Sequence, residues 1–243
     1  ILRLLLRYTC NGINCRVILQ NSHDLYVLQR KIKIKRNNLT LIPGSGVDLD
    51  KYVKTEISES TPVAILASRM IWDKGVGEFV RVAKRLKSEG FHARFVLVGM
   101  PDYENPFSIS ESQLQNWNDE GWVEWWGFRA DMPKVIAKAW VVCLPTYYGE
   151  GVPKVLLEAM ASGRPIITTE MPGCQDLVRL NRNGLLVVPR DEESLLDSLR
   201  GLLSDLPLCK RMGKVGRKIV ETEYTVGHVS EATLSIYKEL LEI

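Results

Sequence analysis

The sequence predicts an α/β protein built on a doubly wound parallel sheet. From residue 63 onward, short runs rich in Val, Ile and Leu alternate with amphipathic helical patterns. Strands that are apolar at consecutive positions are buried on both faces, which is typical of a parallel sheet covered by helices. The chain has 243 residues, 45% of them apolar, and no apolar run long enough to span a membrane.

The predicted strands and helices of this unit follow one another in a regular order. The strands are expected at 63–69, 93–99, 123–127, 141–145, 165–169 and 184–189. The helices are expected at 76–90, 111–119, 132–139, 153–162 and 191–204, and the chain from 210 onward is mostly helical. Such sheets bind ligands at the carboxyl ends of their strands, so the loops that follow the strands are the candidate site.

The amino-terminal part does not share this alternation. It contains an amphipathic helix, a strand at 16–21, a basic helix and a strand at 39–44. The polar segment KTEISEST separates it from the α/β unit. We therefore expect three parts: residues 1–52 as a second unit with its linker, residues 53–225 as the α/β domain, and residues 226–243 as a helix that returns to the first unit.

Charge and cysteine content limit the partners and the compartment. A net charge of +3 is too small to indicate nucleic acid binding. The basic cluster RKIKIKR at 30–36 is interpreted as a sheet edge protected by lysines, or alternatively as a contact with anionic lipid or a phosphate-bearing substrate. Five cysteines without a CxxC motif favour a reducing compartment. We expect a cytoplasmic protein, with peripheral contact on the inner face of the membrane as an open alternative.

Several common sites are disfavoured. GSGVDL at 44–49 has two glycines of a dinucleotide fingerprint, but Leu49 stands in place of the third and no helix follows. There is no GxxxxGK[ST] motif, so a P-loop is excluded. DLD at 48–50 resembles the metal-binding DxD of one class of sugar transferases, but a turn is the favoured interpretation. We expect no metal ion and no other cofactor.

Two cations follow the first predicted strand of the α/β unit. In SRMIWDKG, Arg69 ends the strand and Lys74 lies in the next loop. Such a pair suits a diphosphate because it offsets the negative charge without proton transfer. Phe128 and Arg129, just after another strand, are the candidates to contact a nucleotide base.

Two acids occupy the segment YYGEGVPKVLLEAMASGRPIIT. Glu150 lies in a glycine-rich turn, and Glu158 lies within the predicted helix 153–162. The turn lets the backbone approach a phosphate, and the N–H groups at the helix start point at an anion. We expect Glu158 to bind vicinal ribose hydroxyls and Glu150 to bind the attached sugar. Further candidate contacts in this segment are Gly149, Gly151, Val152 and Lys154.

These motifs together resemble a known family. EGVPKVLLEAMASGRPIIT looks like the signature of retaining glycosyltransferases of family 4, which have the two-domain GT-B fold. The SRMIWDKG motif is similar to that family's diphosphate clamp, IPGSGVDLDKY to its interdomain linker, and VEWWGFRADMP to its nucleotide-base loop. The combination of ENPFSISESQLQNW with EGVPKVLLEA most resembles bacterial enzymes that assemble capsule or O-antigen units on undecaprenyl diphosphate.

The resemblance implies the donor-binding half of a hexosyltransferase. It implies a nucleotide-diphosphate sugar, UDP-linked, as donor and a lipid-linked or glycan acceptor. It makes Arg69, Lys74 and Glu150 the catalytic residues, without metal. Such enzymes have a complete amino-terminal acceptor domain, of which residues 1–52 would hold only the last part and the linker. The alternatives are a UDP-sugar epimerase of GT-B architecture and a nucleotide-sugar binding module without turnover.

Overall fold

A six-stranded parallel sheet forms the centre of the protein. The computed structural model describes residues 2–241, so the outermost residues of the predicted terminal segments lie outside the described part. The strands are β1 (Val17–Leu19), β2 (Leu39–Leu41), β3 (Val63–Ala67), β4 (Arg94–Val98), β5 (Glu124–Trp125), β6 (Val141–Leu144), β7 (Ile166–Thr169) and β8 (Gly184–Val187). The large sheet has the order β5-β4-β3-β6-β7-β8, and every neighbouring pair is parallel.

Helices cover both faces of this sheet. The helices of the described residues are α1 (Leu2–Cys10), α2 (Ser22–Tyr26), α3 (Val76–Ser88), α4 (Glu111–Asp119), α5 (Met132–Ala137), α6 (Lys154–Ala161), α7 (Glu192–Leu203), α8 (Leu206–Glu223) and α9 (Val226–Leu241). Of these, α3 to α8 contribute side chains to the cores on the two faces of the large sheet. Side-chain oxygens accept hydrogen bonds from backbone N–H groups at the starts of several helices. The Ser110 hydroxyl accepts from the N–H of Gln113 at 3.2 Å to begin α4, and the Asp191 carboxylate accepts from the first turn of α7.

Alternating side chains of β3 enter two separate cores. Ala64 and Leu66 pack with apolar residues of α3 and α7, whereas Ile65 packs with residues of α5, α6 and α8 on the other face. Complete burial of such aliphatic side chains contributes about 1.5–3 kcal/mol each. The order of the strands reverses between β3 and β6, so their following loops diverge and leave a crevice. The prediction of a doubly wound parallel α/β sheet is confirmed.

The start of α6 differs by one residue from the prediction. Pro153 was expected inside the first turn, but it stands just before the helix with φ −64° and ψ 117°. That ψ is extended, and the carbonyl of Pro153 still accepts from the N–H of Leu156 at 3.1 Å. At the other end Gly163 has φ +74°, the left-handed conformation expected to stop the helix.

The basic cluster at 30–36 is not a sheet edge, so that interpretation was wrong. The chain from Val27 to Ile32 forms a π-helical segment that continues α2. It stops at Lys33, whose φ is +66°. Ile32 and Ile34 are buried in a small core under the parallel pair β1 and β2. The segment therefore buries these two side chains and does not pair as a strand. The membrane contact stays a prediction.

The two terminal segments contact each other and the linker. Arg16 forms an ion pair with Glu239 of α9. In the linker, Val47 donates its N–H to the carbonyl of Tyr224 at 2.8 Å and accepts from Val226 at 3.2 Å. The helices α1 and α9 expose large apolar side chains, which are Leu2, Leu4, Leu5, Leu234 and Leu241. The predicted domain limits stay a prediction.

No helix within residues 2–241 is long and apolar enough to cross a bilayer.

Candidate active site

A cavity of about 470 Å³ opens at the carboxyl ends of β3 and β4. The ends of the two strands approach each other closely at the bottom of the cavity. A Cβ on Gly99 would lie 1.8 Å from the carbonyl oxygen of Ser68, so no larger residue fits there. Gly99 also has φ +139°, a backbone conformation that favours glycine. The walls include Arg69, Phe128 and Arg129, and Glu158 of α6 closes one side. The cavity therefore occupies the crevice in which open α/β sheets bind ligands.

Arg69 points from the end of β3 toward the loop after β4. Its guanidinium forms an ion pair with Asp102 at 2.5 Å. The N–H of Asp102 in turn donates to the Ser108 hydroxyl at 3.0 Å, which fixes the carboxylate. Because the Arg69 side chain is 59% exposed, this pair contributes little to stability, and the guanidinium can turn to another anion at low cost.

Lys74 and Glu150 form an ion pair with each other. Their side chains are only 12% and 16% exposed, so the pair is shielded from water. Thr146 lies beside it, and its hydroxyl donates to the backbone carbonyl of Asp73 at 3.0 Å. The sequence predicted separate tasks for the two groups, diphosphate for Lys74 and sugar for Glu150. In the structure they are one electrostatic unit at the edge of the crevice.

The glycine-rich turn is held by residues distant in sequence. Asn21 donates from its side-chain amide to the carbonyl of Glu150 at 3.1 Å, and the N–H of Glu150 donates to the carbonyl of Pro172 at 3.3 Å. Gly173 has φ +80°, and a Cβ there would lie 1.9 Å from the carbonyl oxygen of Gly151. The segment after β1 and the segment after β7 therefore hold the turn in place.

Besides Lys74 and Glu150, four of the predicted contacts do not line the 470 Å³ cavity. Gly149 is exposed, and a Cβ there would meet nothing within 4 Å. Gly151 faces the side chain of Gln20, Val152 packs against the core that Ile65 enters, and Lys154 is exposed at the start of α6. These positions border the crevice through backbone and charge, and their contacts with a donor stay a prediction.

Glu158 is a buried carboxyl, with 8% of its surface exposed. Burial raises its pKa, while the Tyr52 hydroxyl and the ammonium groups of Lys154 and Lys51 partly oppose the rise. Burial and the neighbouring Glu158 also raise the pKa of Tyr52, so that phenol stays protonated. A desolvated carboxyl that faces a cavity is a strong acceptor for hydroxyl donors.

Phe128 and Arg129 form the outer lip of the cavity. Phe128 is 74% exposed, so one ring face is available for stacking. Arg129 makes two hydrogen bonds of 2.8 Å to the carboxylate of Asp131 and lies 5.9 Å from the ring of Trp126. The guanidinium lowers the pKa of Asp131 to about 2. Asp131 thus fixes the orientation of the Arg129 side chain, whereas the Phe128 ring is open to solvent.

The structure brings several of the predicted site residues together and shows that other residues lie beside them. Arg69, Phe128, Arg129 and Glu158 line one cavity, and the Lys74–Glu150 pair lies beside it. Sequence reasoning missed Asp102, although its place just after β4 could have indicated it. Asn21 and Tyr52 carried no local signal, because only the fold brings them to the site.

The DLD segment forms a turn. The carboxylate of Asp48 accepts from the N–H groups of Asp50 at 2.9 Å and Lys51 at 3.1 Å. This geometry agrees with the interpretation favoured from the sequence. Among residues 2–241 no three His, Cys, Asp or Glu side chains are grouped so as to hold a metal ion.

The fold and crevice define a glycosyltransferase domain. The family described as glycosyl transferases group 1 matches residues 61–205, and this chain belongs to it. The resemblance inferred from the sequence motifs is confirmed at this level.

The chain is similar to bacterial glycosyltransferases. It is 28% identical to the N,N'-diacetylbacillosaminyl-diphospho-undecaprenol alpha-1,3-N-acetylgalactosaminyltransferase of Campylobacter jejuni over 226 residues, 88% of this chain and 57% of that protein. It is also 28% identical to the capsular polysaccharide biosynthesis glycosyltransferase CapM of Staphylococcus aureus, over 72% of this chain and 45% of CapM. The chain thus spans about half the length of these relatives.

Solved structures share the fold. A glycosyltransferase from Rickettsia africae superimposes with a TM-score of 0.84 at 18% identity, over 98% of this chain and 67% of that one. Anabaena Alr3699/HepE in complex with UDP gives a TM-score of 0.85 at 19% identity, with the same coverage. The prediction of a GT-B glycosyltransferase fold is confirmed.

Proposed function

We propose that this chain is the donor-binding half of a retaining hexosyltransferase. It takes a sugar from a UDP-linked donor and delivers it to a lipid-linked or glycan acceptor during surface polysaccharide synthesis, in the cytoplasm or at the inner face of the membrane. The observation that carries the proposal is the cavity at the ends of β3 and β4, which combines a cation, an exposed aromatic ring and a buried carboxyl. Its volume is within the usual range for small-ligand sites. Similarity to the Campylobacter and Staphylococcus transferases supports the choice of acceptor.

Each part of the donor has a matching group in the crevice. The base stacks on Phe128 beside Arg129, and the ribose hydroxyls donate to Glu158. The diphosphate binds Arg69, which exchanges Asp102 for the ligand, and the start of α6 adds backbone N–H groups. This places the bond to be broken next to the Lys74–Glu150 pair.

The proposed chemistry is electrostatic. When the bond between the sugar and the diphosphate breaks, negative charge develops on the departing oxygen, and Arg69 and Lys74 stabilise it. The acceptor hydroxyl forms the new bond on the face that the diphosphate leaves, and its proton passes to the diphosphate. Glu150 holds the sugar hydroxyls and keeps Lys74 in place.

Replacing Glu158 with Ala should weaken UDP binding roughly 10- to 100-fold. The reason is the loss of charge-assisted hydrogen bonds to the ribose, each of which contributes about 1.5–3 kcal/mol. Titration calorimetry with UDP measures the effect, and Glu231→Ala, at an exposed position of α9, is the matched control. Equal affinity in the Glu158 variant would remove this residue from the ribose contact.

Donor binding should also persist without divalent metal. Arg69, Lys74 and the start of α6 already offset the diphosphate charge, so no ion is needed for that purpose. We expect the dissociation constant of UDP in excess EDTA to stay within about twofold of its value with Mg²⁺ or Mn²⁺. A strict metal requirement would instead revive Asp48 and Asp50 as ligands.

Product analysis separates this function from the two alternatives. The chain is joined to the amino-terminal half of a related transferase and incubated with a UDP-sugar and a lipid-linked acceptor, which gives a glycosylated lipid for a transferase and an epimerised donor for an epimerase. Binding without turnover by this fusion identifies a binding module. The epimerase is disfavoured because the residues around the cavity include no additional acid–base pair beyond those described.

A further inference from the structure

A second cavity, of about 290 Å³, lies on the other side of Arg69. Arg69 lines both cavities, whereas Lys74 lines only the second. If the diphosphate binds at Arg69, the second cavity is the place for the sugar attached to the diphosphate or for the acceptor sugar that approaches it. Its walls come from the loop after β3, the loop between β4 and α4, and Tyr148 in the loop after β6.

Two aromatic rings at this cavity are open to solvent. Phe107 is 54% exposed and Tyr148 is 60% exposed. An aromatic ring normally contributes stability by being buried, so two exposed rings beside one cavity are available to a ligand. The face of a pyranose ring that carries only C–H bonds is the apolar surface that such rings accept.

The same cavity offers polar groups without partners. The side-chain oxygen of Asn105 accepts from the N–H of Phe107 at 2.9 Å, which leaves its NH₂ group without a partner in the described part of the chain. The carboxylate of Asp73 likewise makes no ion pair or hydrogen bond within residues 2–241, while its backbone carbonyl accepts from Tyr147 at 3.0 Å. One amide donor and one carboxylate acceptor suit the hydroxyls on the edge of a sugar.

The walls are preorganised by backbone hydrogen bonds. The N–H of Trp72 donates to the carbonyl of Phe107 at 2.9 Å, and that of Ile109 donates to Met70 at 2.9 Å. The N–H of Tyr148 donates to the Thr146 hydroxyl at 3.2 Å. A ligand that enters the cavity therefore pays little to order the loops.

We propose that this cavity is a pyranose subsite, in which Phe107 and Tyr148 stack on the ring and Asn105 and Asp73 bind its hydroxyls. The inference rests on the proposed function, because it places the sugar next to the diphosphate. It adds to the contact expected from Glu150, whose carboxylate is engaged by Lys74. The sugar is either that of the donor or that of the acceptor, and two measurements distinguish them.

The first measurement compares UDP with UDP-sugars. Calorimetry on the 243-residue chain gives the affinity of UDP-glucose, UDP-galactose and their N-acetylamino forms relative to UDP. If the donor sugar fills the cavity, Phe107→Ala and Tyr148→Ala each reduce this relative affinity about 3- to 10-fold and leave the affinity for UDP itself unchanged. Tyr148→Phe keeps the ring and should retain the wild-type ratio.

The second measurement uses methyl glycosides of the same hexoses with UDP-saturated protein. Saturation-transfer NMR reports whether they bind, and a signal that Phe107→Ala or Tyr148→Ala removes assigns the cavity to the acceptor sugar. The matched control in both measurements is Tyr103→Ala, an exposed aromatic of the same loop that lines neither cavity. Circular dichroism confirms that each variant is folded.

The outcomes are separable. A wild-type chain that does not bind UDP overturns the proposed function itself. Normal UDP binding with no effect of either Ala variant in both measurements overturns the subsite alone. A fall in UDP affinity in folded variants also overturns it, because the rings would then support the nucleotide and not the sugar.

Discussion

A polypeptide of these 243 residues is expected to bind UDP and to give no measurable sugar transfer. In a GT-B fold the active site lies between two domains, and the cavities described above are lined by the α/β unit alone. Holding donor and acceptor together can supply about 7–11 kcal/mol of the barrier. Without an acceptor domain that contribution is absent, while the contacts proposed for Arg69 and Glu158 with the nucleotide are retained.

The assay measures transfer of a radiolabelled sugar from UDP-sugar to an undecaprenyl-diphosphate-linked acceptor. It is run with the chain alone and with the chain fused behind the amino-terminal half of the Campylobacter relative. The fusion should transfer sugar, and Lys74→Ala in it should lower the rate about 10²- to 10³-fold. Robust transfer by the chain alone, as a monomer, would show that these residues contain the whole active site.

Replacing Arg164 with Met should lower the free energy of unfolding by at least about 1–3 kcal/mol, the cost of one buried acceptor that loses its donor. Arg164 is completely buried. Its guanidinium donates to the carbonyls of Thr55 at 2.6 Å and Ala137 at 2.8 Å, and to the Thr55 hydroxyl at 2.7 Å. Burial lowers its pKa to about 10, so it is still charged at neutral pH. The guanidinium also donates to the carbonyl of buried Ser162 at 3.0 Å, and the variant leaves that carbonyl without this donor.

Urea denaturation measures the change, and Arg211→Met is the matched control. Arg211 is exposed on α8, so the same substitution there should change the unfolding free energy by less than about 0.5 kcal/mol. A loss below about 1 kcal/mol for Arg164→Met would show that water or a shifted side chain satisfies these carbonyls.

The sequence by itself determined the fold and predicted which side chains line the crevice. Parallel strands that are buried on both faces must be apolar throughout, so their positions in β3, β4, β6 and β7 could be read directly. Phosphate and ribose recognition favour cations, glycines and acids in the loops and helices that follow such strands, so Arg69 and Glu158 were predicted as site residues, and both line the cavity. The family followed from the same motifs.

Only the tertiary structure decided which charges are paired and which residues support the site. Lys74 and Glu150 are 76 positions apart, and no local pattern indicates that they form one ion pair. No local pattern indicates that the Arg164 guanidinium joins Thr55, before the α/β unit, to Ala137 at the end of α5. Asn21, Tyr52 and Asp102 reach the crevice from separate elements. Hydrogen bonds and ion pairs depend on distances of a few ångströms, and those distances are set by how distant segments pack.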